Sequence, residues 1–150
     1  MHARKRDFFY PNFMLQFISH CAKYINITIE DVAVINKIFL SQKTTKNTHL
    51  LQNEKHNKCF YFIEKGSVKL VSKSSNRKEE FFFQKGDFFS TYHIMQTKSQ
   101  VFDIVFLEDT HYIEIPLENL FKLFDHNIKF KKLQEIMLFK REKKFEEINS

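Results

Sequence analysis

The chain has 150 residues, a mass of 18.2 kDa and a formal net charge of +6, and 43% of its residues are hydrophobic. Nineteen Phe, no Trp, two Gly and two Pro exclude a disordered, collagen-like or Pro-rich chain. That length suits one domain with a sizeable core, and Gly66 and Gly86 are too few for a glycine-rich phosphate loop.

Residues 1–10 read as a basic arm carrying Arg4, Lys5 and Arg6. The apolar run behind it is broken by Pro11, Asn12, Gln16 and His20, which argues against a signal peptide. Residues 11–40 read as helical. Phe13, Phe17, Cys21 and Tyr24 recur at spacings of four, four and three, which makes one apolar stripe. Thr28 with Asp31 three residues later predicts a helix N-cap. Ile29, Val32, Ile35, Ile38 and Phe39 are then the expected buried face.

Residues 41–116 read as short strands. Lys58 to Ile63 is aromatic and β-prone, and Glu64-Lys65-Gly66-Ser67 is a turn in which Gly66 can take positive φ. Ser67 to Ser72 alternates with period two and buries Val68 and Leu70. Ser74 to Arg77 is the next turn, Glu80 to Gln84 a strand, and Lys85-Gly86-Asp87 another turn. Gln100 to Leu107 and Thr110 to Ile115 read as a last hairpin around Glu108 and Asp109. Turns about ten residues apart predict an antiparallel barrel, roll or sandwich. Residues 117–150 return to helix: a short one from Leu117 to Phe124, then a long one from about Ile128 to Glu147 with an apolar stripe at Phe130, Leu133 and Met137.

Charge is uneven along the chain. Residues 1–58 hold nine basic and four acidic groups, residues 59–116 seven and eight, and residues 117–150 eight and six. The middle is therefore no basic groove, and nucleic-acid attraction would have to come from the ends. Cys21 and Cys59 form no Cys-x-x-Cys pair, so a disulfide framework and a zinc knuckle are excluded and a cytoplasmic location fits. No apolar run is long enough to span a membrane.

The order of helices, short strands and long helix resembles the sensor domain of the Crp/Fnr family of bacterial transcription regulators. His49 to Gln52, Cys59 to Leu70, Gly86 to Phe89 and Phe106 to Ile113 are similar to its motifs. The resemblance implies a mainly β fold: a double-stranded β-roll of jelly-roll type at residues 41–116, flanked by N-terminal helices and a long C-terminal dimerisation helix. It also implies a C-terminal winged helix-turn-helix, through which DNA would be bound, and that module is absent from this sequence.

The family's pocket would fall on Gly86, Asp87, Ser90, Thr91, Lys98, Ser99 and Gln100. In the family an acidic residue holds the ribose and an Arg pairs with the cyclic phosphate. Here those positions fall at or beside Thr91 and Gln100, and there is no Arg between Arg77 and Arg141. Lys98 offers a flexible point charge instead of a fork. The expectation is a degenerate pocket that does not bind cyclic AMP, with no cofactor and no metal. The alternatives are a stand-alone interaction module without DNA binding, or a binder of a different small ligand. The resemblance implies a homodimer seam along Phe130, Leu133, Ile136 and Met137.

Enzymatic chemistry finds no support. An iron–sulfur cluster needs about four Cys. A haem would need His93 or His111 as axial ligand, and lone histidines are ordinarily hydrogen-bonded surface groups. His49, His56, His93 and His111 are scattered with no His-x-His, and no nucleophile elbow or Walker loop is present.

Overall fold

The computed structural model describes residues 14–51, 59–72, 80–89 and 102–136. Two helices come first, α1 (Leu15–Ala22) and α2 (Ile29–Ile38). Eight strands follow: β1 (Leu40–Thr44), β2 (His49–Leu51), β3 (Cys59–Lys65), β4 (Ser67–Ser72), β5 (Glu80–Gln84), β6 (Phe88–Phe89), β7 (Phe102–Phe106) and β8 (Thr110–Pro116). Then come α3 (Leu117–His126), a 3-10 turn (Ile128–Phe130) and a helical segment at residues 131–136.

The strands form two antiparallel four-stranded sheets, ordered β1-β8-β3-β6 and β2-β7-β4-β5. Among the described strands only β4 and β5 are both consecutive and paired. Every other connection, β5 to β6 included, changes sheet, and this is the wiring of a jelly roll. The expected last hairpin is therefore corrected: β7 and β8 lie in different sheets. The turn between them crosses the roll, and Leu107 N–H donates to the Ser67 carbonyl at 3.0 Å on the β4 side. A short polar turn marks a reversal but does not say which sheet receives the chain.

Strand β3 decides the layering. Residues 59–64 are all buried. Phe60 and Phe62 face the helices, while Cys59, Tyr61 and Ile63 face the second sheet. A strand covered on both faces needs apolar residues at every position, which explains the continuous run in place of alternation. Strand β5 has one covered face: Phe81 and Phe83 are buried and Phe82 is exposed. The first sheet is thus the middle layer, between the second sheet and the helices.

On the helix side, Phe17 and Cys21 of α1, Ile35 of α2, Leu120 and Leu123 of α3, and Phe130 and Leu133 beyond it pack on Phe60, Phe62, Phe88, Ile113 and Ile115. Phe17 makes edge contacts with Phe39, Phe62 and Phe88 at ring centroids of 5.7, 5.3 and 6.4 Å. Tyr24 and Ile29 fall outside the expected stripes, at 47% and 89% exposed. Tyr24 lies past the end of α1, and Ile29 is the first residue of α2, on the side away from Ile35.

Phe130 and Leu133 of the expected seam are 0% exposed and belong to the chain's own helix-side core. A three-four apolar spacing reports a buried face but not its neighbour. Ile136 is half-buried, and Met137 with the charged stretch after it lies outside the described residues, as do the basic arm, Phe13 and the Ser74–Arg77 turn.

Candidate functional site in the roll

Two glycine turns build the rim of the roll. Gly66 has φ +105 and joins β3 to β4. A Cβ there would stand 2.8 Å from the Asp109 carbonyl oxygen and the Thr110 Cα, so the position needs both the left-handed φ and the missing side chain. Gly86 has φ +88 with open space around it. Its N–H donates to the Ile63 carbonyl at 2.9 Å, and Ile63 N–H donates to the Asp87 carbonyl at 3.1 Å. These two bonds fasten the turn to the end of β3.

Asp87, a sequence candidate for ligand contact, uses its carboxylate locally. Oδ2 accepts from Gln84 N–H at 2.8 Å, and Asp87 N–H donates to the Gln84 carbonyl at 2.9 Å. Gly86 and Asp87 thus shape the turn that launches β6. The other five candidates, Ser90, Thr91, Lys98, Ser99 and Gln100, lie outside the described residues, as do His56 and His93.

Aromatic rings pack between the sheets. Tyr61 stacks on Phe89 at 4.9 Å, Phe83 on Phe89 at 5.4 Å, and Phe106 on Tyr112 at 5.2 Å between centroids. Ile63, Val68, Leu70 and Ile104 fill the gaps at 0% exposure. Among the described residues no Lys or Arg is buried. The polar end of this packing is acidic. Glu114 accepts from Gln42 Nε2 at 3.4 Å and from Cys59 Sγ at 3.8 Å. Burial, reinforced by the Glu114 charge, pushes the Tyr112 hydroxyl up to about 12. Burial, with Cys59 and Glu114 behind it, raises Tyr61 as well. A phosphate entering between these walls would leave water without gaining a fixed cation from them.

Two buried carboxylates, Glu64 and Asp31, tie the helices to this frame. Glu64, 5% exposed on β3, accepts from Gln16 and Phe17 N–H at 3.1 and 2.7 Å. It replaces the missing side-chain cap of α1. The only signal for it in the sequence is an acidic residue ending an unbroken apolar run. Asp31 forms the expected capping box with Thr28. It also accepts from Lys129 Nζ at 2.5 Å and lies 3.0 Å from His126 Nε2, so it joins α2 to the end of α3 and the turn beyond. Burial alone would raise its pKa, but Lys129, Thr28 and His126 together hold it well below the usual carboxylate range. Burial pushes the Cys21 thiol up to about 12, which makes it inert.

Residues 41–127 match the family model of the cyclic nucleotide-binding domain. This chain belongs to the cyclic nucleotide-binding domain family. Its fold is shared with the sensor domain of the transcriptional regulator DNR from Pseudomonas aeruginosa, at 10% identity and a TM-score of 0.64, covering 87% of this chain and 88% of that one. The catabolite activator protein of Thermus thermophilus matches at 14% identity and a TM-score of 0.59, with 81% of this chain covered. The regulatory domain of Toxoplasma gondii PKA, crystallised with cAMP, matches at 12% identity and 0.58, covering 89% of this chain and 50% of that one. The chain spans 58% of the length of the Thermus protein. No curated protein sequence matches it. Among the described residues, no group of three His, Cys, Asp or Glu could hold a metal ion, and no helix is long and apolar enough to cross a membrane.

Proposed function

We propose that this cyclic nucleotide-binding domain is the sensor domain of a Crp/Fnr-type transcription regulator, and that its roll does not take cyclic AMP. The observation that carries the second half is the stacked-ring interior. Tyr61, Phe83, Phe89, Phe106 and Tyr112 pack between the sheets, with Glu114 at the polar end, and among the described residues no Lys or Arg is buried. The sequence adds no Arg between Arg77 and Arg141. Two helices ahead of the roll and a helix behind it support the first half, since the DNR sensor domain shares the fold over most of its length. In this reading the last helix pairs with its twin through Ile136 and Met137, and DNA is bound by a module outside these residues. Calorimetric titration with cyclic AMP and cyclic GMP tests the closed roll, and micromolar binding of either would sink it. Light scattering tests the pairing.

A further inference from the structure

The outer face of the first sheet is covered by helices over Ile113 and Ile115, but a different surface lies at the other end of β8. Lys43 of β1 and Lys65 of β3 are both register partners of His111. Register partners point to the same side of a sheet, so the three side chains form one row across three adjacent strands. With strands about 4.8 Å apart, the two lysine backbones stand roughly 10 Å apart with the imidazole between them. A bulge between Ile63 and Lys65 sets this row: it places Lys65, and not Glu64, opposite His111.

The row lines a cleft of 440 Å³ together with Thr45, Asp109 and Thr110. That volume suits a small ligand. Two acidic side chains, Glu108 and Asp109, lie on the turn beside the cleft. Asp109 Oδ1 accepts from Lys46 N–H at 2.9 Å, and Glu108 Oε2 accepts from Ser67 Oγ at 2.7 Å. His111 Nε2 is 2.6 Å from Ser41 Oγ, which orients the ring. Burial first, and the Lys43 charge second, lower the His111 pKa, so at neutral pH the ring is an uncharged hydrogen-bonding group between two ammonium groups.

Two cations aimed into one concave site with hydroxyl and imidazole groups suit a compact dianion. We propose that the Lys43–His111–Lys65 cleft binds a phosphate group, free or as the monoester of a small molecule. The site lies on the outer face of the first sheet, separate from the inter-sheet space, so it stands or falls independently of whether the roll is closed.

Inorganic phosphate is the first probe. It is titrated into the full chain at constant ionic strength, and backbone amide shifts are followed at Lys43, Lys65 and His111. Saturable millimolar binding is expected, weakened at least about tenfold in K43A/K65A and unchanged in K122A, at an exposed position of α3. Glucose 6-phosphate distinguishes the sources: tighter binding than phosphate identifies a monoester ligand, and equal binding identifies the free anion. All variants should keep the wild-type melting temperature, since these lysines are exposed. Shifts that do not saturate, or binding that persists in folded K43A/K65A, would overturn the proposal.

Discussion

The carboxylate of Glu64 caps helix α1 from 47 residues away, accepting from Phe17 N–H at 2.7 Å and from Gln16 N–H at 3.1 Å. Through this contact the middle sheet orients the first helix. Glu64→Ala strands two N–H groups at a helix end and should cost about 2–4 kcal/mol in urea unfolding. Glu64→Gln keeps an acceptor and should cost less. Equal stability of Glu64→Ala and wild type would remove the cap from the account. Burial raises the Glu64 pKa against the opposing Phe17 and Gln16 N–H bonds. Its titration therefore favours folding below the ordinary carboxyl pKa, and that contribution is lost as pH rises through the folded value.

Asp31 carries the opposite sign. Its folded pKa is depressed, so its stabilisation is present above the unfolded value near 3.8 and is lost as pH falls below it. Breaking the pair by Asp31→Asn should cost roughly 2–4 kcal/mol at pH 7. The difference from wild type should shrink steadily between pH 5 and about pH 2. A difference independent of pH would show that the loss comes from packing and not from the Lys129 and His126 contacts.

The two glycines should respond differently to alanine. Gly66→Ala meets both a left-handed φ and the backbone at Asp109 and Thr110, and it should cost more than about 3 kcal/mol or prevent folding. Gly86→Ala meets only the φ, and about 1–2 kcal/mol is expected. Chemical denaturation ranks them, and a Gly86 variant weaker than the Gly66 variant would contradict the geometry.

Leu133 and Met137 separate the fold from the proposed pairing. Leu133→Ala opens a void in the helix-side core and should cost about 2–5 kcal/mol in the isolated chain. Met137→Glu should make a dimer monomeric by light scattering. A Met137→Glu protein that still dimerises would place the seam elsewhere.

Local chemistry made much of this readable in the sequence. The capping box at Thr28 and Asp31, strands Ser67–Ser72 and Glu80–Gln84, and the turns at Gly66 and Gly86 each depend on residues within a few positions of one another. What could not be read depends on distance along the chain. No local pattern says that β7 and β8 join different sheets, that Glu64 reaches α1, or that Lys129 meets Asp31 across 98 residues. Phe130 and Leu133 show the same limit: the stripe was visible, but the surface it meets was not. For the site, the missing Arg was legible as a gap in the sequence, whereas the stacking of Tyr61, Phe83 and Phe89 appears only once β3, β5 and β6 are brought together.

In the proposed function the roll is closed to cyclic nucleotides by its own aromatic interior. Calorimetric titration of cyclic AMP into the full chain tests it most directly. No saturable heat is expected with nucleotide in the millimolar range. A fitted Kd at or below about 10 μM, worth roughly 7 kcal/mol of binding, would contradict it, because such affinity requires space between the sheets and a cation for the phosphate.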